Sequence, residues 1–166
     1  MSDSNSFVDS NVWLYTLLSD PKTEPQEETR KRNQAIALLD RITPIVSTQV
    51  INEVCSVLQR KAKFNENQLK AVIQAFNDSC IIIELNYDIL ILASDLRLRY
   101  NFSFWDGLIA ASAIESGADT LYSEDMQDGL IVSRSLQIIN PFKNWKKHRS
   151  KPKLKAISSL DLLRAF

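Results

Sequence analysis

Five short apolar runs interrupt this chain, and stretches with helical periodicity separate them. The runs are Phe7 with Val8, Pro44 to Val46, Ile81 to Ile83, Thr120 to Tyr122, and Leu136 to Ile139. After the first, Val12, Trp13, Leu14, Leu17 and Leu18 recur at helical spacing. Ala35, Ile36, Leu38 and Leu39 then mark a second helix, entered from a polar loop within residues 20–33. Val50, Val54, Val57 and Leu58 mark a third, which Ser47 or Thr48 can cap. Further helices are expected over roughly 66–77, from Tyr87 to Tyr100, and around Asp106. Strands alternating with helices imply a parallel sheet covered on both sides. The β-branched run Ile81 to Ile83 has the profile of a strand buried on both faces.

A chain of 166 residues supports one domain with a substantial core. Its 45% hydrophobic and 24% charged residues are the balance of an ordinary globular fold, and three glycines with five prolines argue against low complexity. The net charge is zero but unevenly spread. From Pro141 onward the cations are Lys143, Lys146, Lys147, Arg149, Lys151, Lys153, Lys155 and Arg164, with Asp161 the only acid. The expected organisation is a body over 1–142 and a basic extension over 143–166 that ends in a short helix. No apolar stretch is long enough to span a bilayer, and no secretory signal is read. Cys55 and Cys80 form no Cys-x-x-Cys motif, and His148 is the single histidine. A zinc site or disulfide framework is therefore not expected, and a reducing cytoplasm is.

The acids raise the functional question. Asp9 and Asp125 each lie just past an apolar strand, so in a parallel sheet both emerge on the carboxyl edge, where sites form. Asp9 also suits a simple helix cap. Ser103 and Asp106 are spaced as a capping box, with the carboxylate reaching back to the Ser103 amide, and capping and ligation both remain open there. Glu53 borders the apolar stripe of its helix and needs a partner. Four partly buried acids from four segments repel one another unless a cation joins them. With no His or Cys supply the ligands are all oxygen, which selects Mg²⁺ or Mn²⁺.

These stretches resemble the PIN domain, and most nearly the VapC-type toxins of toxin–antitoxin pairs. "FVDSNVWLY" resembles the opening motif and "STQVINEV" the second. "FSFWDGLIAASAIESGADTLYSEDMQDG" resembles the third and fourth run together. The likeness covers about residues 6–142. It implies a three-layer α/β/α sandwich with a central parallel sheet, and metal-binding, catalytic acids at Asp9, Glu53, Asp106 and Asp125. Ser10, Asn11 and Ser123 match supporting positions, and Asp128 stands at a variable one. The resemblance further implies RNA hydrolysis, homodimers and a cognate antitoxin protein whose peptide fills the active-site groove. The chain departs from the pattern by continuing past the final strand. There Lys143, Lys146, Lys147 and Arg149 can meet phosphates and Trp145 can stack on a base, or the extension is merely solvated. Two rival readings are a non-catalytic RNA-binding or scaffold module of the same fold and a phosphatase of the haloacid dehalogenase type. The phosphatase wants a second Asp where Asn11 stands.

Overall fold

The computed structural model describes residues 5–143. Six strands form one sheet: β1 (Asn5–Val8), β2 (Thr43–Ser47), β3 (Ile81–Ile83), β4 (Thr120–Tyr122), β5 (Ile131–Val132) and β6 (Leu136–Ile139). The helices are α1 (Ser10–Leu17), α2 (Pro25–Leu39), α3 (Thr48–Ala62), α4 (Glu66–Ser79), α5 (Tyr87–Tyr100) and α6 (Phe104–Glu115). The sheet order is β3-β2-β1-β4-β6-β5, with every neighbouring pair parallel except β5 with β6. Helices flank the sheet in the expected three-layer arrangement: α1 packs on α2 and α3, α3 on α4, and α5 on α6.

Strand β1 lies at the centre because Ser6, Phe7 and Val8 are all sealed from solvent. Phe7 is in register with Ile45 on one side and Leu121 on the other. Strand β3 corrects one expectation. It is the outer strand beside β2, and Ile81 is 46% exposed, so the triple isoleucine is not buried on both faces. Strand β5 was absent from the expected pattern. It turns into β6 through Ser133 and Arg134, both at positive φ, closed by a bond from Ser135 N to the Val132 carbonyl. That turn ordinarily uses Gly or Asn, so its usual sequence signal is missing.

The alanine-rich character of α6 has a packing reason. Every residue from Gly107 to Ala113 is buried. A Cβ on Gly107 would sit 3.0 Å from the Ala93 carbonyl oxygen and 2.6 Å from Arg97 Cγ. Small side chains let α6 approach α5 this closely, and that fixes the position of Asp106 in its first turn.

Trp13, fully buried, meets Phe76 edge-on at 4.9 Å between ring centroids. Trp13→Ala is expected to cost about 3–5 kcal/mol through the cavity it leaves. Ile81→Ala, on the open edge, is expected to cost about 0.5 kcal/mol or less. Urea unfolding of the two variants beside the parent checks both figures.

Candidate active site

Asp9 directly follows β1, and its amide extends the ladder by donating to the Tyr122 carbonyl at 3.0 Å. Ser123 does the same one strand over, its amide donating to the Ile139 carbonyl at 3.1 Å. Both residues therefore leave the sheet side by side at its carboxyl edge. Strands β2 and β3 lie to one side of β1, and β4, β6 and β5 to the other, so this is the point where the strand order reverses. Crevices open at such points in α/β sheets.

The Asp9 side chain both caps α1 and belongs to a larger network. Its Oδ1 accepts from the Ser10 amide at 2.7 Å, and its Oδ2 accepts from Ser123 Oγ at 2.7 Å and Asn11 Nδ2 at 3.1 Å. Ser10 Oγ lies 2.8 Å from Glu53 Oε2 and 3.4 Å from Asp9 Oδ1, so its single proton goes to Glu53. Gln49 Nε2 donates to Glu53 Oε1 at 2.9 Å. Asn11 Nδ2 also donates to Asp125 Oδ2 at 3.1 Å, and Asn11 Oδ1 accepts from the Glu124 amide at 3.2 Å. Asp9 is thus linked to Glu53 through Ser10 and to Asp125 through Asn11, the three acids coming from three separate segments.

Their exposures differ more than the sequence reading supposed. Asp9 is buried, Glu53 and Asp106 are half-buried, and Asp125 is exposed. Burial pushes the Asp9 carboxyl up to about 6; the bonds from Ser123 and Ser10 oppose this, and the Glu53 and Asp125 charges add to it. None of the four acids has a cationic partner among the described residues.

Asp106 stands apart. Ser103 Oγ accepts from the Asp106 amide at 3.2 Å, which is half of the expected capping box. The carboxylate does not complete it, shares no hydrogen bond with the other three acids, and is not among the charges acting on Asp9. Among the described residues no three acid, imidazole or thiol groups stand close enough to hold one ion together. The donor chemistry nevertheless suits a hard divalent cation. It is oxygen only, carries several negative charges without a cation, and includes a buried carboxylate whose ionisation such a cation would favour.

Two other acids have structural duties. Asp128 Oδ1 accepts from the Asn140 amide at 2.8 Å, tying the loop after β4 to the end of β6, and among the described residues no hydrogen bond joins it to the acid network. Glu124 is paired with Lys31 of α2 and accepts from the Tyr15 hydroxyl. Burial first, and then the Glu124 bond, raise the Tyr15 phenol above its ordinary range. Sequence reasoning missed Gln49, Tyr15 and Lys31. Gln49 precedes Glu53, and Tyr15 follows Asn11, by four residues on one helix, so spacing carried a signal for them. Lys31 comes from another helix and had none. Lys143 is exposed, whereas Trp145, Lys146, Lys147 and Arg149 lie outside the described residues.

The raised Asp9 carboxyl gives a pH prediction. Its folded value near 6 exceeds the ordinary 3.8. The stability it lends is therefore complete below about 3.8 and is lost as pH rises through about 6. The whole effect is about 3 kcal/mol at roughly 1.4 kcal/mol per pKa unit. Between pH 4.5 and 7.5, in EDTA, the parent should lose about 2 kcal/mol relative to Asp9→Asn. Urea unfolding at both pH values measures the difference.

A PIN domain profile matches residues 6–127. No curated protein matches the sequence. Among solved structures, a toxin–antitoxin complex from Klebsiella pneumoniae is similar at TM-score 0.62 and 16% identity, covering 84% of this chain and 100% of that one. The VapC20 toxin of Mycobacterium tuberculosis, described as cleaving the sarcin–ricin loop, is similar at TM-score 0.58 and 17% identity, over 73% and 90%. VapBC2 from Rickettsia felis, bound to a DNA fragment from its promoter, gives TM-score 0.52 and 18% identity, over 81% and 98%. At these identities the structures establish a shared fold, while the profile covers most of the sequence. The chain belongs to the PIN domain family.

Proposed function

We propose that this protein is a divalent-metal-dependent endoribonuclease and the toxin of a toxin–antitoxin pair. The observation that carries the reading is the linked set of Asp9, Glu53 and Asp125. These acids share donors at the carboxyl edge of a PIN domain sheet and have no cation of their own among the described residues. Toxin–antitoxin proteins among the similar structures support the biological role.

In this reading Asp9, Glu53, Asp106 and Asp125 would hold Mg²⁺ or Mn²⁺. When bound, the ion supplies a water of lowered pKa and offsets charge at the scissile phosphate. The protein's own part is placement. Ser10 holds Glu53, Ser123 and Asn11 hold Asp9, and Asn11 holds Asp125. Asp125 is exposed and its Oδ1 bears no hydrogen bond among the described residues, which suits it to accept the proton of the attacking water. Attack on a phosphodiester of single-stranded or looped RNA leaves a 5′-phosphate.

The proposal extends to partners and place. A cognate antitoxin is the expected inhibitor, and the exposed Tyr87, Leu90, Ile91 and Leu98 of α5 offer a surface for a second copy. No described helix is long and apolar enough to cross a membrane, in keeping with a cytoplasmic role. A non-catalytic RNA-binding or scaffold module is the second reading. It is favoured by the absence, among the described residues, of three groups close enough to hold one ion. The phosphatase reading has no such support, because Asn11 stands where it wants a second Asp and donates to Asp9 Oδ2 at 3.1 Å.

Asp9→Asn and Asp106→Asn are expected to remain folded by circular dichroism. Each should lose RNA cleavage by more than the roughly 10–100-fold that outer partners of metal sites contribute. EDTA should abolish cleavage by the parent, and added Mg²⁺ or Mn²⁺ should restore it. Full activity in either variant or in EDTA would overturn the enzyme reading. For the basic extension, Lys146→Glu with Lys147→Glu should weaken RNA binding. The salt dependence should flatten by roughly 0.7 in log–log slope per lost phosphate contact, measured by fluorescence anisotropy.

A further inference from the structure

Beside the acid network lies a cavity of about 190 Å³ that shares Asn11 and Asp125 with it. Its walls come from Leu14, Tyr15 and Leu18 of α1 and Val57 of α3. We propose that this cavity is a subsite for one unpaired nucleobase bearing an amino edge, next to the phosphate that is cut. The inference rests on the nuclease reading and adds a base preference to it.

Size is the first argument. Pockets that enclose whole small molecules run to roughly 300–1,000 Å³. This one suits a single ring system and not a nucleoside with its phosphate. The apolar lining side chains Leu14, Leu18 and Val57, with the Tyr15 ring, give a planar base a surface to lie against, as single-stranded nucleic acid sites do.

Charge is the second. The charged residues lining it are Asp20, Glu28, Glu124 and Asp125 against Lys61. Glu124 is paired with Lys31 and Glu28 with Arg32, which leaves Asp20 and Asp125 against Lys61, one acid in excess. What remains is a surplus of carboxylate acceptors that repels phosphate. A neutral ring with N–H donors is the group that fits. Adenine and cytosine present an amino group, and guanine an amino group beside a ring N–H, whereas uracil presents only one ring N–H.

Asp20 is a lining acid with acceptor capacity left to read that edge. It is exposed, it has no ion pair among the described residues, and its Oδ1 is engaged only by the Lys22 amide at 3.0 Å. Asp20→Asn keeps an oxygen for that bond and replaces an acceptor with a donor.

The test uses the full chain in EDTA with single-stranded RNA trinucleotides that differ only at the central base. The methyl NMR signals of Leu14, Leu18 and Val57 are followed through each titration. Trinucleotides with central cytosine, adenine or guanine should shift these methyls with about tenfold lower Kd than the uracil one, the scale of one good base contact. Asp20→Asn should erase the preference, and Leu18→Trp, which fills the cavity, should abolish the shifts while leaving distant methyl signals in place. Equal response to uracil, no response at these methyls, or displacement of the RNA signal by an arginine-bearing peptide alone would overturn the proposal. Cleavage assays in Mn²⁺ separate the two readings. Base-selective shifts without any cleavage sink the nuclease and keep the subsite, and cleavage without pocket shifts does the reverse.

Discussion

Burying Asp9 at the end of the central strand is the constraint around which the rest of the site is arranged. A carboxylate taken out of water resists ionisation, and this one is pushed up to about 6 by burial, with nearby Glu53 and Asp125 adding to the rise. The fold answers with donors: the first amide of α1, the Ser123 hydroxyl and the Asn11 amide. Those donors come from two places, α1 and the segment after β4. They meet because β1 and β4 are parallel neighbours in register from Ser6 with Thr120 to Val8 with Tyr122. The sheet topology is thus a direct condition of the site chemistry.

An outer brace holds that geometry from behind. Glu124 grips Asn11 through its backbone amide, while its carboxylate pairs with Lys31 and accepts from Tyr15. Lys31 also lies 5.0 Å from the Tyr15 ring centroid and 5.7 Å from that of Phe142, and the two rings meet edge-on at 4.9 Å. Arg30 donates to the Phe142 carbonyl at 3.0 Å. The end of the body is therefore pinned to α2 beside the residues that order the site. Lys143, exposed, follows Phe142 directly at this brace.

Much of this could be read in the sequence, and the failures have physical reasons. Strand ends place Asp9 and Asp125 on one edge, and that inference needed only the parallel alternation of elements. Ser10 and Asn11 follow Asp9 directly, so their bonds to it are local. The triple isoleucine misled because composition reports what a strand can bury, not whether a neighbour exists to cover it; among the described residues no strand pairs with β3 on its outer side. The β5 turn escaped because Ser133 and Arg134 adopt a conformation that glycine usually advertises. The Lys31 pair with Glu124 joins residues ninety-three positions apart, a distance at which spacing carries no signal.

Asp106 shows how one residue can serve the fold without spending its charge. In a complete capping box its carboxylate would turn back to the Ser103 amide. Here Ser103 satisfies the Asp106 amide, and the carboxylate is left without a hydrogen bond among the described residues. Its place in the first turn of α6 sets a negative side chain against the positive end of the helix dipole. The close packing of α6 on α5, which Gly107 permits, fixes where that charge begins. Asp9, Glu53 and Asp125 are thus held by donors, whereas the Asp106 carboxylate is held only by the packing of the helix that carries it.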